Sequence, residues 1–184
     1  LERDVKMKTK GLVIVHTGDG KGKTTAALGL AMRAWGDGLR VLILQFIKGG
    51  CSYGELKTIE TLAEADGRIC VKQCGLGFTK KGDKDEAKHK AAAKKAVLQA
   101  ETELTSGNWD LIILDEINYA ISYDLIAKED ALHLLAVKPE EVHVVFTGRD
   151  AKKEIIAKAD LVTEMTLIKH PYQQGIKAQK GIEF

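Results

Sequence analysis

The chain has 184 residues, a formal net charge of +2, a hydrophobic share of 45% and a charged share of 29%. That balance describes one globular domain with a real core, and demands neither nucleic acid nor an anionic membrane as partner. The longest purely apolar runs are about four residues, far short of a membrane span.

Residues 1–10 read as an N-terminal arm, charged and lacking the apolar centre of a secretory signal, with Leu1–Val5 a candidate trimmed or added start. Residues 11–184 read as a single domain, with no repeat, Pro-rich linker or composition break. Three cysteines, Cys51, Cys70 and Cys74, suit a reducing cytoplasm and free thiols, and the spacing of the last two is wrong for a zinc knuckle.

Leu12-Val13-Ile14-Val15 predicts a strand feeding Thr17-Gly18-Asp19-Gly20-Lys21-Gly22-Lys23-Thr24-Thr25, and Thr25 to Arg33 predicts a helix leaving it. Strand, glycine-rich turn and helix is the layout of a P-loop: backbone N–H groups form an anion nest and the helix dipole adds to it. Residues 18–25 are the candidate ATP-binding set, with Lys23 on the terminal phosphates and Thr24 on Mg²⁺ or Mn²⁺. The motif opens with Thr17 where the common pattern has Gly, while Gly18, Gly20 and Gly22 still permit tight turning.

Gly36-Asp37-Gly38 ends that helix, and Arg40 to Phe46 predicts a buried strand because its apolar run does not alternate. A loop from Ile47 to Gly54 follows at the ligand edge, then a helix over Glu55–Ala65 and a short strand over Ile69–Gln73. Lys84 to Leu104 predicts a long helix, with Ala93, Ala96, Val97, Ala100 and Leu104 on one face and Lys84, Lys88 and Lys95 opposite. Acidic neighbours dilute that basic face, so it reads as solvated and not as a nucleic-acid surface.

Trp109 to Glu116 predicts a buried strand delivering Asp115 and Glu116 to the ligand edge, the Walker-B arrangement for a metal. His143 to Arg149 predicts another strand; Arg149 is either a phosphate-binding cation or a surface residue opening the next helix. Leu161 to Ile168 is the last predicted strand, and the polar tail after it, with spaced Gly, Ile and Phe, is expected to dock. The alternation predicts an α/β fold, doubly wound around a mainly parallel sheet. No Asn/Thr-Lys-x-Asp guanine-reading signal is present, which favours ATP. The residues alone leave hydrolysis, phosphoryl transfer or a nucleotide switch open, with Glu116 as the base of an ATPase.

The string Thr17 to Ala27 resembles the P-loop of the ATP:corrinoid adenosyltransferases of bacterial cobalamin synthesis. Four further blocks agree in order: Gln45-Phe46-Ile47-Lys48-Gly49, Gly77-Phe78-Thr79, Leu114 to Tyr119, and Thr147-Gly148-Arg149. The tail with Lys169-His170, Gly175, Ala178-Gln179 and Gly181-Ile182 extends the similarity to residues 11–184. The resemblance implies a RecA-like P-loop fold, commonly a homodimer, that transfers the 5′-deoxyadenosyl group of ATP to Co(I) and releases triphosphate. It implies a nucleotide held in the reverse of the usual sense, with the 5′ carbon presented to the cobalt. It also implies Lys23, Thr24 and Glu116 as catalytic residues, Arg149 as a nucleotide contact, and Thr24, Asp115 and Glu116 around the metal. Phe78, Lys80 and Tyr119 fall on the corrinoid side, where Phe78 would help exclude the lower axial ligand. Family members often carry Gly-Phe-Thr-Trp, whereas this chain has Lys80 in place of the Trp, which weakens that displacement. No flavin, iron–sulfur or dithiol motif is present, so an external electron donor such as a flavodoxin-like protein is expected.

Overall fold

The computed structural model describes residues 10–50, 53–79, 82 and 84–183. Cys51, Lys80 and nearly all of the N-terminal arm lie outside them. Six strands form one sheet in the order β3-β2-β4-β5-β1-β6, and every pairing is parallel. The strands are β1 (Val13–Thr17), β2 (Val41–Gln45), β3 (Ile69–Gln73), β4 (Leu111–Asp115), β5 (His143–Thr147) and β6 (Leu161–Glu164). β1, β2 and β4 are buried at all five positions, as non-alternating apolar runs require when helices cover both faces.

The helices are α1 (Lys23–Gly36), α2 (Gly54–Asp66), α3 (Glu86–Thr105), α4 (Ile117–Ser122), α5 (Lys128–Val137) and α6 (Lys153–Ile156). On one side of the sheet Ala27, Ala31 and Ala34 of α1 and Ile59 of α2 pack on Ile14, Ile43 and Ile113. On the other, the predicted face of α3 (Ala93, Ala96, Val97, Ala100, Leu104) packs with α4 and α5 on Leu42, Leu44, Ile112 and Phe146. The small residues let both helices lie close to the sheet.

Two expectations are corrected. β6 ends at Glu164, not Ile168: it pairs only with β1, and its four residues are exposed. Beyond it Met165 turns under the glycine loop, donating from its N–H to Thr17 O at 2.8 Å and accepting from Gly20 N at 2.7 Å, which ends the ladder. β4 likewise stops at Asp115, because Glu116 adopts a left-handed φ of 63° and becomes the N-cap of α4. None of the described helices is long and apolar enough to cross a membrane.

Candidate functional site

The loops after β1, β2, β4 and β5 meet at the C-terminal edge of the sheet, where ligands of open α/β folds sit. The glycine loop follows β1 and ends at Gly22, whose φ of 111° turns the chain into α1. A side chain at Gly20 would meet Met165 O at 2.7 Å, so the bare backbone is what lets the loop lie against the segment after β6. Gly20's N–H is thereby committed to Met165, leaving the other loop amides to form the nest.

Lys23 is buried and folded over its own loop, donating to Gly18 O at 2.7 Å and Gly20 O at 2.6 Å. Burial pulls its ammonium below the ordinary lysine pKa, while Glu116 acts against that shift. These carbonyls are neutral acceptors, so an anion in the loop would be the stronger partner.

Asp115 is only 1% exposed and its carboxylate is the hub of the site. Oδ1 accepts from Thr24 Oγ1 at 2.7 Å and from Thr147 Oγ1 at 2.8 Å. Oδ2 accepts from Gln45 Nε2 at 3.3 Å and lies 3.6 Å from Lys48 Nζ. Four side chains, from α1, β5, β2 and the loop after β2, are thus tied to one buried charge. Glu116 has no such network; its N–H donates to Thr147 Oγ1 at 2.8 Å, and its carboxyl faces the cavity. Burial first, and then the Asp115 charge, push its pKa up to about 7. A side chain at Gly148 (φ 122°) would meet Tyr119 N at 2.7 Å and Glu116 Oε2 at 3.2 Å, so that glycine is a requirement of the acidic turn.

The cavity holds about 880 Å³. Gly20 to Thr25 form its floor, with Glu116 and Arg149 beside them, and Phe78 and Tyr119 are also in its wall. Gly18 and Asp19 are not in that wall; Gly18 contributes its carbonyl to Lys23, and Asp19 sits outside with Arg149 Nε 3.9 Å from its carboxylate. Phe78 is 68% exposed and meets Tyr119 edge-on at 6.0 Å, and Tyr119 stacks on Tyr123 at 4.0 Å. The Tyr119 hydroxyl donates to Thr79 O at 3.1 Å, tying α4 to the loop that carries Phe78. Burial and the neighbouring Tyr123 hold that phenol well above its ordinary pKa.

Sequence reasoning gave no role to Lys48, Tyr53, Glu55 or the 181–183 turn, which all line the cavity. Lys48 Nζ reaches Glu55 at 3.1 Å and lies 4.8 Å from the centre of the Tyr53 ring. Burial alone would lower its pKa, but Asp115 and Glu55 together hold it raised. Its signal was available: it follows the strand that pairs with β4, in register Gln45 against Asp115. The loops bearing Lys48 and Phe78 cross where a side chain at Gly49 would meet Gly75 O at 1.8 Å.

A parallel doubly wound sheet, a Gly-x-Gly-x-Gly-Lys-Thr turn and an acid pair at the same sheet edge, one strand removed, define a P-loop α/β protein. The fold resembles the crystal structure of the flagellar accessory protein FlaH from Methanocaldococcus jannaschii, with a TM-score of 0.56 at 12% identity over 84% of this chain and 71% of that one. Residues 9–184 match the family described as ATP:corrinoid adenosyltransferase BtuR/CobO/CobP. A corrinoid adenosyltransferase from Sinorhizobium sp is 44% identical over 97% of this chain and 83% of its own length. Those of Pseudomonas aeruginosa and Escherichia coli K12 are 39% and 38% identical, each over 95% of this chain and 84% and 86% of their own lengths. The chain belongs to the ATP:corrinoid adenosyltransferase family.

Proposed function

We propose that this cavity aligns ATP with a reduced corrinoid and transfers the 5′-deoxyadenosyl group to cobalt, releasing triphosphate. One observation carries the reading: the phosphate loop with Lys23, Thr24 and Glu116 opens into the same cavity as Phe78 and Tyr119. The Co(I) electron pair forms the Co–C bond as the C5′–O bond breaks, and the bonding pair leaves on the triphosphate. No side-chain nucleophile is needed, so the protein's work is alignment and charge stabilisation. Lys23 exchanges two carbonyls for phosphate oxygens, and Arg149 supplies a second cation at the rim.

The oxygen-only set of Thr24, Asp115 and Glu116 suits a hard divalent cation such as Mg²⁺ or Mn²⁺, completed by substrate phosphates. Such a cation supplies charge neutralisation on the leaving group. Thr24 and Glu116 would hold it, with Asp115 orienting the Thr24 hydroxyl. Phe78, exposed and backed by Tyr119 and Tyr123, would take the corrinoid face. Lys80 on that side lies outside the described residues.

The cobalt must arrive reduced. Cys70 and Cys74 are free thiols whose pKa values are raised by burial, poor redox groups, which supports an external one-electron donor of flavodoxin-like chemistry. Exposed Leu161 and Val162 on the edge strand β6 support a homodimer, and the free thiols support a cytoplasmic setting.

The test is anaerobic incubation with Mg-ATP and chemically reduced corrinoid. The light-sensitive Co–C chromophore and stoichiometric triphosphate are expected. ADP and phosphate without the chromophore would leave an ATPase in its place.

A further inference from the structure

We infer that the turn at residues 180–183 is a latch over the nucleotide, tied to the P-loop by Glu183 and Lys21, with Glu183 acting as a positioning residue. This rests on the ATP-site reading above. Gly181, Ile182 and Glu183 line the same cavity as the P-loop, although they lie more than 150 positions further along the chain. Glu183 Oε2 accepts from Lys21 Nζ at 2.7 Å. The Glu183 side chain is 15% exposed, in a segment that otherwise faces solvent.

The path to that contact is what makes it a latch. Beyond Met165 the chain runs over the surface: Ile168 is 92% exposed, Tyr172 80% and Ile182 81%. Among the described residues, the backbone hydrogen bonds of a short 3-10 helix (Pro171–Gln174) and of the turn from Gln179 to Glu183 stay within residues 170–183. Among the described residues, the Lys21–Glu183 ion pair is the one hydrogen bond or ion pair that joins residues 166–183 to the rest of the chain. A half-exposed pair is worth little against the entropy of closing so long a segment. The closed arrangement therefore gains most when a nucleotide fills the cavity and adds contacts to the turn.

The two loop lysines then have different tasks. Lys23, on neutral carbonyls, is free to move to phosphate, whereas Lys21 already holds a carboxylate and can keep it while the nucleotide is bound. The latch would act on how long the nucleotide stays and not on the chemical step.

Release of a fluorescent adenine nucleotide, chased with excess Mg-ATP in stopped flow, tests this on the full chain. Glu183→Ala, Glu183→Gln and a chain ending at Gln179 should each release it about five-fold faster or more, and Glu183→Asp should recover part of the loss. Hydrogen exchange of residues 176–183 should slow when Mg-ATP binds to the wild type. Unchanged or slower release in Glu183→Ala and the shortened chain would overturn the latch alone. Wild type that binds no nucleotide would overturn the ATP site together with it. If the shortened chain becomes monomeric while Glu183→Ala releases nucleotide normally, the segment is a subunit contact and the latch falls.

Discussion

The two walls of the cavity are built on opposite terms. At the phosphate wall a single carboxylate, Asp115, gathers Thr24, Thr147, Gln45 and Lys48 out of water, and the glycine loop is wedged against Met165. At the aromatic wall Phe78 stands in solvent, backed by two stacked tyrosines and the bond from the Tyr119 hydroxyl to Thr79 O. The difference follows the ligand proposed for each wall. A polyphosphate is small and highly charged, so its donors gain most from being fixed beforehand in a dry site. The corrinoid proposed for the other wall is broad, and the apolar face of its macrocycle, inside a polar rim, would meet an exposed ring. Damage to the phosphate wall should cost chemistry and stability together, and damage to the aromatic wall should cost substrate affinity with the fold intact.

Lys23→Ala is expected to give the largest effect. It removes the cation proposed to lie nearest the developing charge, so turnover at saturating Mg-ATP should fall about a thousand-fold or more. Far-UV circular dichroism should be unchanged, because Lys23 bonds only to its own loop's carbonyls. Near wild-type turnover would mean that the glycine loop is not the catalytic cradle.

Asp115→Ala comes next and is the direct test of a prebuilt wall. It strands two hydroxyls and leaves Lys48 with Glu55 alone. Denaturant unfolding should show a loss of about 3 kcal/mol, the order found when one partner of a buried charge network is removed. Activity should fall with it. A loss below about 1 kcal/mol would show that the network is not stabilising the edge.

Glu116 sharpens the comparison through pH. Its carboxyl is raised from 4.5 to about 7, so the folded protein holds a proton that the unfolded chain releases. Stability should therefore fall as pH rises from about 4.5 to about 7, by up to roughly 3 kcal/mol from this group, and level off above. Glu116→Gln should abolish that slope and gain stability relative to wild type at pH 8. In the proposed catalysis the sign reverses: the charged form would hold the cation, so the apparent KM for Mg²⁺ should climb as pH drops below about 7. A flat KM–pH profile would remove Glu116 from the metal site.

How much of this was legible in the chain differs between the walls for the same reason. Strand, glycine turn and helix are local, and so are Leu-Asp-Glu at the end of a buried run, so the phosphate wall could be read from short strings. β3 carries the predicted bounds, and the five buried positions of α3 are the predicted ones. Lys48 was missed because its role depends on β2 lying beside β4, a pairing between residues 70 positions apart. The Glu183 contact was missed because nothing local distinguishes a glutamate that crosses the surface to Lys21 from one in a loose tail. The early end of β6 follows from Met165 turning under the glycine loop, which the apolar pattern does not encode.

Phe78→Ala should do the reverse of Asp115→Ala. At 68% exposed the ring contributes little to folding, and stability should change by less than about 0.5 kcal/mol. The corrinoid KM should rise about ten-fold, from loss of the aromatic contact. Electron paramagnetic resonance of Co(II)-corrinoid with Mg-ATP should show a smaller four-coordinate fraction. An unchanged fraction would mean that Phe78 does not meet the corrinoid.

Tyr119→Phe should give the smallest change, and its size decides whether the aromatic wall is held by packing or by the Tyr119 hydroxyl. The substitution keeps the stack on Tyr123 and the edge contact with Phe78, and deletes the hydroxyl that donates to Thr79 O and pairs with the Tyr123 hydroxyl. A part-buried bond of this kind is worth about 1 kcal/mol, so the loss in denaturant unfolding should be of that order. Thr79 is buried and lies next to Phe78, so losing the tie from α4 should loosen the ring's position and raise the corrinoid KM about three-fold, with kcat kept. Because the Tyr119 phenol is held above its ordinary pKa, the wild-type and Phe profiles should run parallel through pH 9. A kcat loss larger than the KM change would instead put the hydroxyl at the reacting centre. That would make α4 part of the chemistry and erase the contrast between the two walls.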